Sequence, residues 1–140
     1  MDIAGLALTT VALGETFITA IRGLRRLCDA VNEAPDMVNR LEQDGSTICL
    51  YLGYVDKAIA QKPADYPDSF KKWLDEEKKL LGRSIRQIED YAKTIQQRIQ
   101  SGPLVGGVRH VLDVTEIYKV QQQLARSISI IQHMMEICRQ

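Results

Sequence analysis

Excess charge of either sign is missing from this chain: 18 Lys and Arg balance 18 Asp and Glu over 140 residues. Proteins that bind nucleic acid neutralise phosphates and carry a basic surplus, so no nucleic-acid partner is expected. Cysteine is scarce as well. Cys28, Cys49 and Cys138 are odd in number and widely spaced, with no CxxC and no Cys/His pair at metal spacing. This argues against a disulfide framework or a zinc site, and for a reducing compartment. Each cysteine falls on or beside an apolar stripe, the position of a small buried hydrophobe.

Catalytic motifs are missing too. There is no HExxH and no GxSxG, and the segment 102–107 lacks the GK[ST] of a phosphate loop and reads as a turn. The two histidines, His110 and His133, read as surface or boundary residues of the last helix. Asp75-Glu76-Glu77 and Glu89-Asp90 lie among lysines and read as a solvated helix face. They lack the Glu-x-x-His pairs of a di-iron bundle. Trp73, beside Phe70 and Leu74, reads as aromatic packing near a bundle end. The expectation is a protein that is not an enzyme, with no catalytic, cofactor or metal residues and no cofactor.

Strand signals are absent: no segment alternates β-branched residues, and no hairpin turn separates strand-like runs. What is present is helical periodicity. Breaks at Pro35, at Pro63 and Pro67, and at Pro103 with Gly106-Gly107 leave four long segments. The first carries Ile3, Leu6, Thr10, Leu13, Phe17, Ala20, Leu24, Leu27 and Val31 at steps of three and four. The second carries Val38, Leu41, Gly45, Ile48, Leu52, Val55 and Ile59 in the same rhythm. Pro35 suits its first turn. Gly45 costs that helix ~1 kcal/mol relative to Ala unless a neighbour packs closely there.

The third segment, opening near Asp68 and Ser69, has Phe70, Leu74, Leu81, Ile85, Ile88, Ala92, Ile95 and Ile99 on one face. Its other face offers Asp75/Lys79 and Glu89/Lys93 as i,i+4 pairs. The fourth has Val114, Ile117, Gln121, Leu124, Ile128, Ile131, Met135 and Cys138. Short connections place sequential helices side by side. The fold expected is all-α, an antiparallel helical bundle of four main helices with room for a fifth short one, and not a sustained coiled coil. It occupies residues 1–140 as a single domain. The last stripe runs to the final residues without a stop signal, so the expectation is the N-terminal domain of a longer protein.

The first helix is more apolar than a bundle position requires. Leu8, Val11, Ala12, Ile18 and Ile21 lie off its core stripe, and Glu15 is the one charge between Ile3 and Ile21. A secretory signal would put basic residues first, whereas Arg22, Arg25 and Arg26 follow the apolar run. A standing membrane span needs ~20 apolar residues, and Glu15 with several threonines makes this a poor one. Two readings remain: a central core helix with a basic end, or a bundle helix able to leave and meet lipid with its arginines at the headgroups.

The opening Met1-Asp2-Ile3-Ala4-Gly5-Leu6-Ala7-Leu8 through Val11-Ala12-Leu13 resembles the starts of fungal HeLo-like domains. Such domains precede the nucleotide-binding module of NLR-type (STAND) immune receptors or act as cell-death effectors. The run from Val108 to Cys138 resembles the last helix of that family. The resemblance implies a helical bundle similar to that of the necroptosis executor and to plant resistance-protein helical domains, serving programmed cell death or heterokaryon incompatibility. It implies oligomerisation with itself or homologous domains, and a first helix that engages anionic lipid. On this chain the membrane-engaging residues would be Ile3, Leu6, Leu8, Val11, Leu13, Phe17, Ile18 and Ile21. Arg22, Arg25 and Arg26 would be the headgroup contacts. The protein would sit in the cytoplasm and move to the plasma membrane on activation. The alternative is a non-lytic protein–protein interaction bundle that never contacts lipid.

Overall fold

A threonine opens the first helix. Thr9 accepts a hydrogen bond on its side-chain oxygen from the Ala12 backbone N–H at 3.1 Å, the N-cap geometry that satisfies an otherwise orphaned donor. The computed structural model describes residues 9–30, 35–100 and 114–140. Ile3, Leu6 and Leu8 lie outside these, as do the turn around Gly102-Pro103 and His110. Four α-helices span the described chain: α1 (Thr10–Ala30), α2 (Pro35–Gln61), α3 (Asp68–Gln100) and α4 (Val114–Arg139). Among the described residues one 3-10 turn, Pro63–Asp65, is the short element beside the four helices. Among the described residues there is no strand, and the fold is an all-α helical bundle.

Pro35 does open α2, where its missing N–H costs nothing. The register of α1 on α2 follows from three approaches: Thr10 against Gly53, Gly14 against Cys49, and Phe17 against Gly45. Numbers rise on one helix as they fall on the other, so the pair is antiparallel. Only six residues separate α2 from α3, which turns the chain back again. Trp73 meets His133 at one end of α3–α4, and Ile95 lies near Ile117 toward the other, so that pair is antiparallel too.

The lateral arrangement differs from the expected one. Packed faces join α1 to α2, α1 to α3, α2 to α4 and α3 to α4. Consecutive helices α2 and α3 therefore lie across the diagonal, bringing α1 beside α3 in parallel. The 3-10 turn and extended Tyr66 span that longer connection. Each helix stands at a corner with two neighbours. This corrects the reading of α1 as a central core helix.

The core contains Leu13, Phe17 and Leu24 of α1, Leu41, Ile48 and Leu52 of α2, Leu81, Ile85 and Ile88 of α3, and Ile117, Leu124 and Ile131 of α4. On α4 the buried line also takes in Val120, Ser127 and Met134, while Gln121, Ile128 and Met135 are half-buried. The inward face is thus turned by about one residue from the expected stripe. The i,i+4 pairs Asp75/Lys79 and Glu89/Lys93 are exposed and form no ion pair, as their small gain against side-chain entropy allows.

Candidate functional site

The inner face of α1 is locked by shape. Phe17, fully buried, lays its ring on the bare Cα of Gly45 in α2. Glycine's helix penalty at Gly45 is offset here by the close approach it permits. Leu13, Ile21, Leu24 and Cys28 complete the buried side.

Two polar clamps hold the ends of α1. At the start, the Thr10 hydroxyl donates to the Asp56 carboxylate on α2. Lys78 Nζ reaches the other Asp56 oxygen from α3 at 2.7 Å, with the lysine almost fully buried. Three helices thus meet at Asp56. Further along, Arg25 Nη1 donates to Asn39 Oδ1 at 2.9 Å, and its other terminal nitrogen pairs with Glu42.

The outer face of α1 is different. Val11 is 72% exposed and Ile18 46%. Glu15, Arg22 and Arg26 are exposed beside them and form no ion pair within the described residues. The expected membrane-engaging set therefore divides. Val11 and Ile18 are available in the resting fold, while Leu13, Phe17 and Ile21 are core. Of the three arginines, Arg22 and Arg26 face water, whereas Arg25 is committed to α2. Releasing α1 would uncover four large apolar side chains at ~1.5–3 kcal/mol each. That approaches the ~5–15 kcal/mol that holds a whole domain folded. Contact through the exposed face costs none of this. No helix among the described residues is long and apolar enough to cross a membrane.

One carboxylate departs from the solvated-face reading. Asp75 and Glu76 are exposed, but Glu77 is buried at the α3–α4 contact. Burial raises its pKa above the usual 4.5, and the neighbouring charge of Glu76 adds to this; a hydrogen bond with Ser127 opposes it. Its Oε1 has no partner. A raised folded-state pKa gives stability that is full below the unfolded value and lost as pH rises through the folded one. Glu77→Gln is expected to raise the melting temperature at pH 7–8. Its advantage should shrink toward pH 4 in thermal melts across that range.

Elsewhere the chemistry is sparse. Tyr66, Phe70, Trp73 and His133 form a ladder of rings with successive centroid separations of 5.3, 6.2 and 6.3 Å, as the packing reading of Trp73 expected. No cluster of His, Cys, Asp or Glu among the described residues could hold a metal ion. None of the three cysteines is in a disulfide. No protein-family model, curated protein or solved structure matches the chain. The arrangement itself defines the candidate: a four-helix bundle presenting an apolar and basic stripe on one corner helix.

Proposed function

We propose that this bundle is a signalling or effector domain of a fungal cell-death or innate-immunity protein, working by self-association and by membrane engagement of α1. The observation that carries the reading is the exposure of Val11 and Ile18 on the same outer face of α1 as the unpaired Arg22 and Arg26. The HeLo-like character of the opening residues supports it. At rest the chain would be cytoplasmic. A trigger clusters copies at the plasma membrane, where Arg22 and Arg26 meet anionic headgroups at ~1 kcal/mol each. Val11 and Ile18 enter the interface beneath them. Clustering then supplies the free energy that release of α1 demands.

Flotation with phosphatidylserine-containing vesicles tests this. Wild type should float with anionic vesicles and stay behind with neutral ones. Val11→Glu/Ile18→Glu should fail to float at unchanged melting temperature, because both side chains already face water. Removing both arginines (Arg22→Gln/Arg26→Gln) should weaken vesicle binding by roughly 30-fold. Variants that float like wild type would overturn the lipid half of the proposal. The second reading, an interaction bundle that never meets lipid, is favoured by Glu15: its carboxylate stands between Val11 and Ile18, where anionic headgroups would repel it. A stable oligomer that never floats would decide for it.

A further inference from the structure

The outer stripe of α1 runs Val11, Glu15, Ile18 and Arg22, at steps of four, three and four. All four side chains are exposed. That spacing is the seam of a coiled coil, here facing solvent on the side away from the core. We infer that this stripe is the docking surface for a second copy of the chain, with the two α1 helices antiparallel across a twofold axis that passes between Ile18 and Thr19.

The charges specify that orientation. Glu15 and Arg22 are seven residues apart, about 10 Å along the helix, too far to pair within one chain. Neither has another ion-pair partner among the described residues. Antiparallel pairing about this axis sets Glu15 against the partner's Arg22, and the symmetry repeats the pair on the other side. Between the two ion pairs Ile18 packs beside the partner's Ile18. Val11 lies along the aliphatic stem of the partner's Arg26. Parallel pairing in register would oppose Glu15 to Glu15 and Arg22 to Arg22, and is disfavoured by like-charge repulsion. Leu50 on α2 is 72% exposed and level with Leu13 in the α1–α2 register, adding apolar surface on the flank.

The inference rests on the reading that the outer face of α1 is the working surface, and names a second occupant that competes with lipid for it: the pair must part before Val11 and Ile18 reach a membrane. The test is charge exchange, read by sedimentation velocity over a range of concentrations. Glu15→Arg and Arg22→Glu should each weaken dimerisation by roughly ten- to a hundredfold. The double variant Glu15→Arg/Arg22→Glu should restore it, because every pair re-forms with its signs reversed. Ile18→Cys in a Cys49→Ser/Cys138→Ser background should form a disulfide dimer under mild oxidation, with Cys28 buried and silent. A chain that stays monomeric throughout, single variants that dimerise like wild type, or a double variant that fails to recover would each overturn the inference. Arg22 is also a proposed headgroup contact, so lipid binding is read on the wild-type protein, by the flotation described above. Charge-exchange rescue without flotation would uphold the dimer while removing the lipid contact.

Discussion

Gly45→Ala is expected to destabilise the bundle, although alanine is the better helix former. A Cβ at this position would fall inside the contact envelope of three Phe17 ring atoms. The obstructing group is a rigid ring in a fully buried slot. Overpacking of this kind costs typically ~1–3 kcal/mol, and occasionally more. The gain in helix propensity, ~1 kcal/mol, offsets part of it. A net loss of about 1 kcal/mol would lower the melting temperature of a chain this size by roughly 3–5 °C. Phe17→Leu in the same background should recover part of the loss, since it removes the colliding atoms. Alanine alone would then stabilise the Phe17→Leu protein or leave it unchanged. Thermal melts of the four proteins form the cycle that isolates this contact.

Asp56→Ala should cost more, about 2 kcal/mol in chemical denaturation, because loss of Asp56 from this half-buried pair leaves the lysine charge desolvated. It strands the ammonium of Lys78, which is only 7% exposed, and removes the acceptor of the Thr10 hydroxyl. Lys78→Met should cost less, since the Asp56 side chain is 34% exposed and water takes over part of the lost interaction. Asp56→Leu/Lys78→Met should lie closer to wild type than Asp56→Ala does. The defect bears on α1 directly. Hydrogen exchange should quicken in its first turn before α3 or α4 is affected.

Residues that repeat in a helix rhythm are legible from the sequence alone. The line Val38, Leu41, Gly45, Ile48, Leu52 and Val55 is the buried face of α2, and its expected last member, Ile59, is half-buried. The condition on Gly45, that a neighbour must pack closely there, is met by Phe17. The exposed surplus of α1 is legible in part: Val11 and Ile18 fall off its core line and are exposed, whereas Ile21, read as off that line too, is core because the buried face of α1 is wide enough to take it in.

The departures have physical causes. The stripe of α3 jumps seven residues from Leu74 to Leu81, and the missing step falls on Glu77 and Lys78. Their charges argue for solvent, yet helix geometry requires something at that position to face inward. Burial follows the geometry, with Asp56 answering Lys78 and Ser127 answering Glu77 only in part, since Oε1 has no partner. The gap in the rhythm is the signal that could have found them. The diagonal placement of α2 and α3 is not legible, because a six-residue link spans either arrangement. Arg25 looks equivalent to Arg22 and Arg26 in sequence. Only the α1–α2 register shows that Asn39 and Glu42 hold it.

On the proposed reading, first contact with lipid is made through the outer stripe while α1 stays seated on Gly45, and only clustering lifts α1. Cys28 tests it most directly, being 1% exposed on the buried side of α1. In a Cys49→Ser/Cys138→Ser protein, Cys28 is the sole thiol, and maleimide can reach it only when α1 lifts. The account predicts that the protein floats with anionic vesicles while Cys28 stays as slow to label as in solution, and that labelling accelerates only when copies are forced to cluster. Fast labelling as soon as uncrowded protein meets vesicles would contradict it, because α1 would then be leaving the bundle on lipid contact alone.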